Sequence, residues 1–321
     1  MLIYHLIALT LAVFIDLIAG DPPNWPHPVK WIGSLIHKLE RKLNQGKYRR
    51  AKGTVMLTAV VIVSGGAALL LVAAFYSLHP AAGIFMEAML ISAAIAQKGL
   101  KEAALSVYEP LVEKDFAAAR VKLSYIVGRD TELLGEQEIV RGAVETVAEN
   151  TSDGITAPLF WALIGGAPLA LIYRAVNTCD SMVGYKNEQY REFGWASAVF
   201  DDVVNWIPSR LTALCMVFST NPVTGSRKKA WNVVRRDAKK HPSPNSGWGE
   251  AAVAALLGIQ LGGLNYYKGI PSNRARMGDP LLELNVTHIA EANKIVTKTV
   301  PLFLIIMWLG GMLFEMARSW I

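Results

Sequence analysis

The stretch Thr54–Leu78 is long enough to cross a bilayer and holds no charged residue. A helix needs about 20 apolar residues to cross the hydrocarbon core. Inside that core every backbone polar group must be bonded within its own segment or by neighbouring protein. A chain built around such runs is confined to a helical bundle, with its polar residues gathered at helix ends, in loops and in buried pockets. Composition agrees: 52% of residues are hydrophobic and 18% charged, where soluble domains carry about 25% charged residues. Disorder, a secreted disulfide scaffold and a simple soluble enzyme are excluded. The expected fold class is an all-α integral membrane protein. It is read as a polytopic bundle with re-entrant or broken helices and cytoplasmic helical loops, in one membrane-embedded domain over 1–321.

The expected spans are 2–19, 54–78, 83–97 and 300–316, with 155–173 and 203–219 associated with the membrane. The opening MLIYHLIALTLAVF has no basic n-region and reads as a retained helix rather than a signal peptide. Lys30–Lys52 sets Lys38, Arg41, Lys42, Lys47, Arg49 and Arg50 against Glu40 alone, which places that loop in the cytoplasm. Gly165-Gly166-Ala167-Pro168 interrupts the apolar run Ile155–Tyr173 and favours a re-entrant hairpin, which would keep Arg174–Asp202 on the cytoplasmic side. Lys98–Gly128 reads as an amphipathic helix broken near Pro110. Arg129-Asp130-Thr131 reads as a loop and helix start, and Glu136–Glu149 as the helix that follows. The net charge of +6 comes from basic loops beside apolar runs, with no nucleic-acid motif. Cys179 and Cys215 lack the spacing and the His neighbours of a disulfide framework or a zinc site.

Polar residues fall in four blocks: Asp21–Gly33, with Asp16 just before it, then Arg141–Gly154, Tyr173–Arg210 and Arg235–Tyr267. In the second, Arg141, Glu145 and Glu149 recur at i, i+4 and share a helix face, with Asp153 beyond. Carboxylates that close raise one another's pKa unless a cation intervenes, and Mg²⁺ takes oxygen ligands. The plainer reading is a solvated acidic face paired with Arg141. In the third block Arg174, Asn177, Asp180, Ser181 and Gly184 recur at roughly helical spacing, and Asp201-Asp202 with Asn205 lies near a membrane entry. Arg174 and Arg210 suit bidentate binding of phosphate or carboxylate. In the fourth, His241, Ser243 and Asn245 precede a helix expected over Glu250–Leu257, and Arg235, Arg236 and Lys240 lie nearby. Free amides at such a helix start form an anion site; the plainer reading is an ordinary N-cap. No Walker A sequence, Ser/His/Asp triad or Cys nucleophile is present. His5 and His288 lack clustered partners and read as structural or incidental.

Taken in order, DPPNWPHPVKWIG, VETVAENTSDGITAPLFWALIGGAPLALIYRAVNTCDSMVGY, YREFGWASAVFDDVVNWIPSR and RRDAKKHPSPNSGWGEAAVAALLGIQLGGLNYY resemble the CobD/CbiB family of cobalamin-biosynthesis proteins over nearly the whole chain. The resemblance implies an adenosylcobinamide-phosphate synthase. Such an enzyme joins a carboxyl of adenosylcobyric acid to (R)-1-amino-2-propanol or its O-phosphate as an amide, at the expense of ATP. The economical chemistry runs through an acyl phosphate, with Mg²⁺ and Arg or Lys neutralising the transferring phosphoryl group. On that basis Glu145, Glu149, Asp153 and Asp180 are the expected Mg²⁺ ligands. Arg129, Asp130, Arg236, His241, Ser243 and Asn245 are the expected nucleotide and anion contacts. Arg141 and Arg174 would stabilise phosphate or the corrinoid carboxylate, and Asp201 or Asp202 would take the amine proton.

The expected location is the inner, cytoplasmic membrane, with the site facing the cytoplasm. The expected partners are the adenosylcorrinoid, the amino-alcohol and membrane lipid but no nucleic acid. A homo-oligomer, or a complex with other membrane enzymes of cobalamin assembly, completes that set. Two other classes fit parts of the pattern: an intramembrane Mg²⁺-dependent transferase acting on a lipid diphosphate, and a transporter or sensor that is not an enzyme.

Overall fold

Residues 2–20 and 27–318 are described by the computed structural model, so 21–26 of the first polar block lie outside the described residues. The helices are α1 (Leu2–Ala19), α2 (Pro28–Leu43), α3 (Arg49–Leu78), α4 (Pro80–Ser92), α5 (Gln97–Val112), α6 (Phe116–Ser124) and α7 (Glu136–Thr151). They continue with α8 (Ala157–Val183), α9 (Trp195–Val204), α10 (Trp206–Ser219), α11 (Arg227–Asp237), α12 (Ser246–Leu257) and α13 (Thr287–Arg318). Strands β1 (Leu261–Tyr267) and β2 (Ile270–Met277) form the one sheet among the described residues. Among the described residues five helical stretches are long and apolar enough to cross a membrane: Leu2–Ala19, Arg49–Leu78, Pro80–Val112, Glu136–Val183 and Thr287–Ala317. The protein is an all-α, multi-pass membrane protein.

The chain divides into two compact units. The first comprises the described residues of Met1–Ala96, Asp153–Asn205 and Leu304–Ile321. Its core joins Ile32 and Ile36 of α2, Met56 and Val60 of α3, Tyr173, Val176 and Cys179 of α8, and Val204 of α9. α2 is a two-faced helix: Ile32 and Ile36 are buried one turn apart while its basic residues stay out. α3 has no polar face, so its inward stripe is set by fit. Met56, Val60, Ser64, Gly65 and Ala68 are buried, whereas Ile62, Leu69 and Leu70 remain exposed, as lipid-facing residues can.

α8 is broken where the sequence carries two glycines. Gly165 and Gly166 leave helical geometry, and Gly166 adopts φ 63°, ψ −158°, a region essentially restricted to glycine. Pro168 costs little there, because it falls in the first turn of the resumed helix. The Ala167 amide freed by the break donates to Glu87 Oε1 of α4 at 3.1 Å. Glu87 is fully buried and also accepts from Tyr76 Oη at 2.8 Å, with His5 Nδ1 2.8 Å away. His5, read from sequence as structural or incidental, thus has a structural partner.

The second unit is Gln97–Ser152 with Trp206–Phe303. The break expected near Pro110 comes later: Pro110 lies inside α5, and the chain turns at Lys114 with φ 62°. Pro110 lies two residues from the end of α5, so the bond it removes belongs to the last turns of that helix. α10 begins at Trp206, not Val203, because Asn205 ends α9. The β-hairpin was not anticipated. Lys268 (φ 52°) and Gly269 (φ 77°) both take positive φ between the paired residues Tyr267 and Ile270, the two-residue turn that matches strand twist. Asp130 accepts the Lys268 and Gly269 amides at 2.9 and 2.7 Å. Its carboxylate therefore closes the hairpin turn rather than capping α7, whose cap is Gly135.

Candidate functional site

Within the second unit, α7 supplies Arg141, Glu145 and Glu149 along one face, as their spacing requires. Glu145 Oε2 accepts from Arg129 Nη2 at 2.8 Å, and Oε1 accepts from the Gly262 amide at 2.8 Å. Arg129 also donates to Asn265. Arg141 donates to the Gly262 and Leu264 carbonyls at 2.7 and 2.8 Å and to Asn265 Oδ1 at 2.9 Å. This buried network fastens β1 to α7. The carboxylate of Glu145 is thus engaged by a guanidinium and an amide, and Arg141 by two backbone carbonyls and the Asn265 side chain.

Beside it lies a polar cavity of about 120 Å³ lined by Arg129, Glu145, Glu149, Glu250, Tyr267 and Arg274, among others. Glu149 accepts from Ser246 Oγ at 2.8 Å. Arg274 donates to Tyr267 Oη at 2.8 Å. Glu250 is 1% exposed. Burial, reinforced by the Glu145 and Glu149 charges and opposed by Arg274, holds its carboxyl well above the ordinary range. His241 Nε2 is 3.5 Å from Glu250 Oε1. Burial holds the imidazole below its ordinary value, against the opposing pull of Glu149. Sequence reading missed Glu250 and Arg274: one is a lone acid in an apolar helix, the other a lone base in an unforeseen strand.

The rest of the expected anion site is engaged internally. Ser243 Oγ accepts the Asn245 and Ser246 amides at 3.2 and 3.4 Å, so the start of α12 is capped rather than open. Asn245 Oδ1 accepts from Ser209 Oγ and Arg210 Nη1, both at 3.3 Å. Arg236 grips Asp237 through two bonds of 2.8 and 2.7 Å and Asp279 at 2.8 Å. It is an internal tie, not a free guanidinium.

In the first unit a second cluster forms around Asp201. Asn177 Nδ2 donates to Oδ1 at 3.3 Å and Asn205 Nδ2 to Oδ2 at 3.1 Å, while Tyr173 Oη donates to Asn205 at 2.7 Å. Burial, with Asp180 adding to it, pushes the Asp201 carboxyl up to about 7 against those amide bonds. Asp202 is raised too, by burial, with Lys186 opposing. Arg174 lies on the same α8 segment as Tyr173, Asn177 and Asp180, and the Asp153 carbonyl accepts from Tyr173 at 3.3 Å. Among the described residues no group of three or more His, Cys, Asp or Glu is arranged to hold a metal ion. Of the four expected ligands, Glu145 and Glu149 belong to the second unit and Asp153 and Asp180 to the first.

The CobD/CbiB protein family model matches residues 9–296. The chain is 53% identical over 320 residues to "Cobalamin biosynthesis protein CobD" of Halalkalibacterium halodurans, covering 98% of this chain and 99% of that one. It is 50% identical over 278 residues to the protein of the same name from Geobacter metallireducens, covering 86% and 87%. It is 44% identical over 315 residues to "Cobalamin biosynthesis protein CbiB" of Salmonella arizonae, covering 95% and 99%. No solved structure matches. With a family match across most of its length and relatives aligned nearly end to end, the chain belongs to the CobD/CbiB family.

Proposed function

We propose that this protein acts in cobalamin biosynthesis as an ATP-dependent amide synthase. It joins a carboxyl of adenosylcobyric acid to (R)-1-amino-2-propanol or its O-phosphate. The observation that carries the reading is the polar cavity beside α7, where Arg129 and Arg274 meet Glu149 and Glu250. Amide formation between two ions in water is unfavourable kinetically; the acid must be activated and the amine must lose a proton. Transfer of the ATP γ-phosphoryl group to the acid gives an acyl phosphate, and cationic side chains offset the spreading negative charge.

Arg274, which retains donors beyond its bond to Tyr267, is the guanidinium placed to meet an anion in this cavity. Arg129 orients the wall through Glu145 and Asn265. ATP would enter as co-substrate, and Mg²⁺ carried on its phosphates would supply charge neutralisation. Because nucleotide and corrinoid are cytoplasmic, the working face is the cytoplasmic side of the inner membrane. Purified protein in lipid nanodiscs, given ATP, adenosylcobyric acid and either amine, should yield ADP, phosphate and the amide in equal amounts by mass spectrometry. ATP hydrolysis unaffected by the amine, or no amide with either amine, would refute the reading.

A further inference from the structure

Glu250 is the buried carboxyl of the second unit for which neither oxygen has a hydrogen-bond partner. Buried polar atoms are nearly always bonded, and an exception marks a place where a proton, an ion or a ligand completes the bonding. Its surroundings come from every element that lines the cavity. α7 contributes Glu145 and Glu149, the loop before it Arg129, the turn before α12 His241, β1 Tyr267, and β2 Arg274.

Most of these groups already have at least one hydrogen-bond partner. Arg129 holds Glu145, Ser246 holds Glu149, and Arg274 holds Tyr267. The Ser243 amide donates to His241 Nδ1 at 3.0 Å. Nε2 lies 3.5 Å from both Glu250 Oε1 and Arg274 Nη1, and the Ser243 carbonyl lies 3.3 Å from Nδ1, so the ring is held between these groups in either tautomer. Asp201, one of the two bases expected from sequence beside Asp202, has each carboxyl oxygen taken by an amide of Asn177 or Asn205. Glu250 has both oxygens to offer.

We propose that Glu250 receives the nitrogen of the small amine co-substrate in this cavity and takes the proton that the amine must lose before it attacks. The inference rests on the amide-forming reading above and names the amine subsite within it. An ammonium group brings N–H donors to an acceptor that has none. A cavity of about 120 Å³ is small beside the roughly 300–1,000 Å³ of drug-sized pockets, which suits a short amino-alcohol and cannot enclose a corrinoid.

The proton balance follows. The ammonium and the Glu250 carboxylate become a neutral amine and a carboxylic acid. The amine lone pair then forms the C–N bond at the acyl carbon. The C–O bond to phosphate breaks, its electron pair leaves with the phosphate, and the second nitrogen proton departs to that phosphate. Burial favours the neutral acid over the carboxylate. The same low polarity disfavours an ammonium–carboxylate pair, so it yields the nucleophilic form of the amine.

The test is calorimetric titration of the full chain in nanodiscs, without ATP or corrinoid. The titrants are (R)-1-amino-2-propanol and, separately, its O-phosphate, at about pH 7 in two buffers of different ionisation enthalpy. Burial favours the acid form of Glu250 in the empty site and the free amine is an ammonium, so binding should release protons. Glu250→Gln should bind roughly tenfold or more weakly, the loss of a charge-assisted contact, and should release none. Propane-1,2-diol, which lacks the nitrogen, should not compete. Wild-type binding without proton release, no wild-type binding of either amine, or unchanged binding by Glu250→Gln would each overturn the proposal. Should Glu250→Gln fail to fold, the wild-type proton count alone decides. Amine binding with proton release, but no amide when all substrates are supplied, would reject the synthase reading while leaving the amine site standing.

Discussion

Glu87 of α4 and Ala167 of α8 meet where α8 breaks, the carboxyl accepting the freed amide at 3.1 Å. A methyl at Gly166 would come within 1.8 Å of Glu87 Oε1, on a backbone with φ 63°. Gly166→Ala should therefore destabilise the first unit by more than the ~1–3 kcal/mol of backbone strain alone. Glu87→Ala should cost about 1–3 kcal/mol for each polar group it strands, here the Ala167 amide and the Tyr76 hydroxyl. Thermal unfolding in nanodiscs measures both, and a midpoint unchanged in either variant would show that the break needs no carboxyl.

How far the sequence disclosed this fold depends on whether a residue's partner is local. The long apolar helices were readable as apolar runs, the α8 break from paired glycines, and the shared face of Arg141, Glu145 and Glu149 from helical periodicity. The tasks of Arg141 and Glu145 were not readable, because they depend on Arg129 and on Gly262, Leu264 and Asn265 of a hairpin over a hundred residues on, and Glu149 meets Ser246 at the start of α12. Asp130 looked like a helix cap because Asp before a helix often is one. Its real bonds go to a turn at Lys268 and Gly269. Glu250 stayed hidden because nothing near it in sequence marks it as unpaired.

Arg129 and Glu145 form an ion pair with both side chains under 10% exposed. Removing one partner of such a pair typically costs about 3–5 kcal/mol, because the other charge is left buried and alone. Glu145→Gln and Arg129→Met should each lower the unfolding midpoint strongly, and the double variant should lose less than the sum, with a coupling of about 1–3 kcal/mol. Additivity would deny the pair its structural role. Glu145 would return as a metal ligand if Mg²⁺ alone raised the wild-type midpoint but not that of Glu145→Gln.

Arg236, Lys240 and the Gly278 amide converge on Asp237. Burial alone would push this carboxyl up, but those donors outweigh it and hold it well below the ordinary carboxylate range. Its stabilisation is therefore present above the unfolded value near 4 and is lost as the pH falls through the folded value. Arg236→Ala should cost about 1–3 kcal/mol at neutral pH with the KM for ATP unchanged. A large rise in that KM with unaltered stability would restore Arg236 as a nucleotide contact.

Asp201 has the opposite sign. Its carboxyl is raised to about 7, above the unfolded value of about 3.9. The folded state therefore binds more protons than the unfolded chain between roughly pH 4 and pH 7. The stabilisation is complete below that window and is lost as the pH rises through it, by an amount on the order of a few kcal/mol. Asp201→Asn cannot ionise, so its stability should vary less across the window and should exceed expectation from wild type on the alkaline side. Denaturation of both proteins at about pH 5 and pH 8 makes the comparison. Parallel losses in the two would mean that another group titrates there, and that the Asn177 and Asn205 amides keep Asp201 ionised throughout.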